Sequence, residues 1–92
     1  LEPGSAAALH GLGRAAVAEG DLGAAIGHFE RALERLPDDT VVHHALGRAL
    51  RRAGRLDEAR RHLENTLRLQ PRFIQARDVL EQLESRPGNK PQ

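Results

Sequence analysis

Five histidines, at positions 10, 28, 43, 44 and 62, are the side chains of this sequence best suited to metal binding or proton transfer. Imidazoles hold a metal when two lie one helical turn apart or converge with thiolates or carboxylates. The sequence contains no HExxH, no His-x3-His and no cysteine. His28 and His62 are separated by one full period of the repeat described below, which gives them matching places rather than converging ones. The acidic residues are scattered, with no Ser, His and Asp set to activate a nucleophile. Gly11 and Gly13 fall inside a helical stretch and do not form a phosphate-binding loop. Catalysis, a metal ion, a cofactor and a small-molecule substrate are therefore not expected. The remaining chemistry is that of arginine, which makes up every basic residue except Lys90. Its planar guanidinium presents paired donors to carboxylates.

The charge is unevenly placed although the net value is only +1. Residues 6–39 hold three Arg against six acidic residues, a net −3, and residues 40–73 hold eight Arg against three, a net +5. Compositional bias toward Ala, Arg, Gly and Leu accounts for much of this excess. Phosphate attraction is conceivable on charge alone. Two Phe and no Trp or Tyr leave no aromatic platform for single strands, so nucleic acid is not an expected partner. No run of about 18 apolar residues is present, and no membrane span is expected.

The elements that must position these side chains are helices. Ala, Leu and Arg dominate, and residues that favour strands are few. Ninety-two residues suffice for one small domain. Sliding residues 6–39 by 34 positions onto 40–73 matches 12 of 34 residues without a gap. The matches include His10/His44, Leu12/Leu46, Gly13/Gly47, Arg14/Arg48, Gly20/Gly54, Ala25/Ala59, His28/His62 and Pro37/Pro71. Gly, His and Pro all fall in phase, so the repeat is genuine. Apolar spacing of three and four predicts helices near 6–19 and 22–36, then near 40–53 and 56–70. Gly20-Asp21 and Gly54-Arg55 break each pair, and Pro37 and Pro71 close each unit. Phe73, Ala76, Val79, Leu80 and Leu83 predict a fifth helix.

A 34-residue period of paired helices with these residues resembles the tetratricopeptide repeat family. Leu9, Leu12, Gly13, Ala16, Gly20, Ala25, Phe29, Ala32 and Pro37 fall on the family's signature positions in the first unit. Leu46, Gly47, Leu50, Gly54, Ala59, Leu63 and Pro71 do so in the second. His43 departs from the pattern where a large apolar residue is usual, and Thr66 where a small Ala is usual. Both departures are expected to weaken packing locally. The resemblance implies an all-α, right-handed superhelix of five helices. Its expected divisions are unit one at 6–39, unit two at 40–73, a capping helix at 74–84 and a disordered tail at 85–92. Glu81 takes a small-residue position in the fifth helix and is expected to end the stack. Residues 1–5 are a linker or the remnant of a preceding unit, since Pro3 lies in phase with Pro37.

The resemblance also implies that the first helix of each unit builds a concave wall. The wall positions are Ala7, His10, Arg14 and Val17, then Val41, His44, Arg48 and Arg51, with Gln75, Asp78 and Gln82 from the fifth helix. His10 and Arg14 are four apart, as are His44 and Arg48, so each pair shares a helix face. The expected peptide-binding set is His10, Arg14, Val17, Val41, His44, Arg48 and Arg51. Leu9 is expected to add apolar contact, and Arg52 to add positive potential at one edge. Some relatives grip a terminal carboxylate with a Lys, Asn, Asn, Lys and Arg clamp. Ala45, Gln75 and Val79 replace the needed residues here, so that ligand is not expected. The implied function is a scaffold holding a protein or peptide partner. Homo-oligomerisation through the oppositely charged units is the alternative, as is a repeat segment serving a larger protein with its catalytic domain elsewhere.

Overall fold

The computed structural model describes residues 2–84, and Leu1 and the expected tail at 85–92 lie outside the described residues. Five helices follow one another: α1 (Ala6–Ala18), α2 (Leu22–Arg35), α3 (Thr40–Arg52), α4 (Leu56–Leu69) and α5 (Ile74–Glu84). No strand occurs among the described residues. Each helix packs chiefly on its neighbours in sequence, α1 on α2, α2 on α3, α3 on α4 and α4 on α5. The result is an elongated stack of 51 × 27 × 17 Å.

Local chemistry sets the helix ends. Ser5, Asp21 and Asp39 are N-caps whose side-chain oxygens accept from Ala8, Ala24 and Val42 backbone N–H groups at 3.1, 3.1 and 3.3 Å. Arg55 occupies the corresponding position before α4 and makes no side-chain cap. Asp57 and Glu58 in the first turn of α4 supply negative charge toward its N-terminus instead. Arg55 grips Glu58 through two bonds of 2.8 Å. Gly20 and Gly54 both adopt φ of 82°, which reverses the chain inside each unit. Asp21 N–H donates to Ala16 O and Arg55 N–H to Leu50 O, both at 2.9 Å, closing the two turns alike.

The core depends on a small residue facing a large one. A Cβ placed on Gly13 would lie 2.4 Å from Cε1 of Phe29, and one on Gly47 would lie 2.8 Å from Cγ of Leu63. Phe29 and Leu63 are almost fully buried. Each removes enough apolar surface from water to contribute about 1.5–3 kcal/mol. Ala25, Ala32 and Ala59 are fully buried on the same helices and permit close approach.

The two departures from the repeat pattern acquire polar partners rather than loosening the unit. His43 is only 7 % exposed. Its Nε2 lies 2.7 Å from the Pro37 carbonyl oxygen, and its Nδ1 lies 3.1 Å from Nδ1 of His62. A carbonyl can only accept, so Nε2 of His43 carries the proton. In the neutral pair, His43 Nδ1 is then the acceptor and His62 Nδ1–H the donor. Thr66 is fully buried and donates its hydroxyl to His62 O at 3.0 Å. The meeting of His43 and His62 joins α3 to α4. In unit one the residue corresponding to His43 is Leu9, which has no polar atom, and Nδ1 of His28 is buried without a partner.

Gly13→Ala forces a methyl against the Phe29 ring and is expected to cost about 1–3 kcal/mol in urea unfolding. Gly11→Ala meets open space on the same helix and is expected to stabilise by up to about 1 kcal/mol. Burial above all, then the charges of His43 and Arg61, hold the His62 imidazole below its usual value of about 6.5, against an opposing pull from Glu58. The unfolded chain therefore binds more protons than the folded one below about pH 6.5. Stability is full above that pH and declines as pH falls through the window between the two values. A lower urea midpoint at pH 5.5 than at pH 7.5 is expected. His62→Gln, which retains a donor, should flatten part of that slope.

Candidate functional site

A cleft of about 340 Å³ opens between α1 and α3. Its position follows from the stack, because α1 and α3 flank α2 and leave a trough above it. The α1 wall supplies His10, Arg14 and Val17, and the α3 wall supplies Val41, His44, Ala45, Arg48, Ala49 and Arg52. Phe29 reaches it from α2. The apolar part of the lining is thus Val17, Phe29, Val41, Ala45 and Ala49. Three guanidinium groups are distributed over both walls, and no acidic side chain lines the cleft.

The histidines of the two walls each lie against a phenylalanine ring. His10 lies beside Phe29 with ring centroids 5.9 Å apart and planes tilted by 54°. His44 stacks closer on Phe73, at 4.8 Å and 52°. Nε2 of His44 is buried without a partner. Burial first, and then the Arg48 charge one helical turn away, push the His44 imidazole below its usual range. His44 is consequently neutral near pH 7, and the fixed positive charge of the cleft comes from Arg14, Arg48 and Arg52. All three are exposed. The only ion pair among the described residues is Arg55–Glu58, so no internal carboxylate neutralises them.

Six of the seven residues expected from the sequence meet in this cleft: His10, Arg14, Val17, Val41, His44 and Arg48. Arg51 does not line it. Its Nη1 donates to Oε1 of Gln82 at 2.6 Å and ties the end of α3 to α5. Arg52, expected only at an edge, takes a place in the lining. Leu9, expected to contribute apolar contact, is 2 % exposed and belongs to the core. Phe29 touches the lining from α2 but is itself only 1 % exposed, so the accessible apolar surface of the cleft is that of Val17, Val41 and Ala45. Ala7, Gln75, Asp78 and Gln82 lie outside the lining, which leaves the two walls to α1 and α3.

A family model for the tetratricopeptide repeat matches residues 16–83. The chain belongs to the tetratricopeptide repeat family. The match extends from the last turn of α1 to the penultimate residue of α5. No curated protein matches the chain. Tetratricopeptide repeats generally mediate protein–protein interactions, and the family is typically a non-catalytic scaffold. No group of three or more metal-ligating side chains occurs among the described residues. None of the described helices is long and apolar enough to cross a membrane.

Arg51 gives a direct check on this geometry. Arg51→Ala removes the bond to Gln82 and leaves the cleft arginines in place. It is expected to lower stability by about 1 kcal/mol and to speed amide exchange in α5, with exchange in α2 unchanged.

Proposed function

We propose that this repeat scaffold binds a segment of a partner protein in the α1–α3 cleft, and that the segment carries an apolar side chain flanked by carboxylates. The single observation that carries this reading is the lining itself. Apolar surface at Val17, Val41 and Ala45 is bordered on both walls by Arg14, Arg48 and Arg52, with no acidic residue among them. An apolar side chain of the ligand is desolvated against the floor. Carboxylates to either side meet guanidinium groups able to donate two parallel bonds. A neutral His44 supports the same reading, because it adds aromatic surface without drawing charge away from the arginines. A cleft of about 340 Å³ suits a short stretch of chain better than a folded domain surface.

The experiment is a binding titration of a labelled acidic peptide with a central Leu or Phe. Arg14→Ala combined with Arg48→Ala is expected to weaken it at least tenfold, about 1.4 kcal/mol, while circular dichroism stays unchanged. Binding should also fall as salt rises, because both arginines are solvent-exposed. Equal affinity of the double variant would remove the electrostatic part of the proposal. Equal affinity for a peptide with Gly at its centre would remove the apolar part.

A further inference from the structure

We infer that the outer face of α1 is the seat of one further helix of the same polypeptide, entering through the Glu2–Ser5 turn and packed on α1 as α2 packs on α3. The repeat supplies an internal comparison. Leu12 is 48 % exposed, whereas Leu46, its counterpart one period later, is 0 % exposed. Ala15 is exposed, whereas its counterpart Ala49 is buried. Apart from His10 and Arg14, which face the cleft, every residue of α1 is Ala, Gly, Leu or Val. A helix apolar on nearly all sides is normally an interior helix. The other end of the stack is unlike it. Ile74 at the start of α5 is 63 % exposed, but the other exposed positions of that helix are Gln75, Arg77, Asp78, Glu81, Gln82 and Glu84, the polar exterior that a terminal helix of a repeat array requires.

The turn decides which occupant fits. Ser5 N–H donates to Glu2 O at 3.0 Å, Asp39 N–H to Leu36 O at 3.2 Å, and Phe73 N–H to Gln70 O at 3.0 Å. The second and third of these bonds close the turns that lead from α2 into α3 and from α4 into α5. The chain at Glu2 therefore follows the path it takes on leaving a covering helix. A second copy of this chain fits the face poorly, because its α2 and α4 are each enclosed between neighbours and its free end is the polar side of α5. One leucine and a few small residues are also too little surface for stable association between separate molecules. The same surface suffices for a helix tethered by a short turn, whose effective concentration is high. This inference is independent of what the cleft binds.

The test supplies such a helix. Leu1 is replaced by a copy of residues 21–35, so that an α2 sequence runs into the Glu2–Ser5 turn in the register of α2 into Leu36–Asp39. The urea midpoint is expected to rise above that of the 92-residue chain. Leu12→Glu should then lower the midpoint of the extended chain and leave that of the 92-residue chain unchanged. A parallel extension with residues 55–69 guards against a failure peculiar to one sequence. The inference is overturned if neither extension raises the midpoint, or if Leu12→Glu shifts extended and unextended chains equally.

Discussion

Everything in this molecule depends on a glycine of one helix receiving a large side chain from its partner. Gly13 takes the ring of Phe29, and Gly47 takes the branched end of Leu63. The absent Cβ sets how near the two helices of a unit can lie, and the bulky partner prevents a closer approach. Because the same lock recurs one period later, both units adopt the same internal spacing. That spacing lets α1 and α3 present corresponding faces on the same side of α2. The trough, its floor and its arginine-bearing walls are consequences of this steric fit. Ring and cleft are also linked, since the ring held by Gly13 backs the trough from α2.

Unit two shows how a repeat core accommodates polar groups at positions that are usually apolar. His43 and Thr66 are both buried, and each has a hydrogen-bond partner. A buried polar group without a partner costs roughly 1–3 kcal/mol. The chain of Pro37 carbonyl, His43, His62 and Thr66 meets that requirement across the boundary between the units. It also prescribes a tautomer for each ring, which an apolar pair could not do. The units are thus alike in backbone but different in chemistry. Unit one is apolar at the corresponding site, and unit two carries a proton-sensitive link between its helices.

Most of the architecture was legible in the sequence, because it is written in residues whose backbone or steric properties are local. Gly20 and Gly54 mark the reversals, Pro37 and Pro71 the unit boundaries, and the spacing of Leu9, Gly13 and Ala16 the buried face of α1. Helix limits differ from expectation by about one residue at the C-terminal ends. Six cleft residues followed from the repeat register, since matching positions on α1 and α3 must face the same side. What was not legible required knowledge of contacts between helices. His62 meets His43 only when α3 and α4 are paired, and Arg51 bends toward Gln82 because α5 closes over the end of α3. Leu9 belongs to the core rather than the trough for the same reason. Periodicity identifies an apolar face without saying which of its members border the trough.

The order of packing, each helix on its sequence neighbours, has a mechanical consequence for recognition. Such an array resembles a row of coupled links more than a single globule, and its end links open at lower free energy than those within. The two walls of the trough stand on α1 and α3, links separated by α2. A segment lying across both walls joins two helices that have no strong direct coupling of their own. Occupancy of the proposed site would then couple these two links, so that a bound partner acts as a splint across the array as well as a ligand.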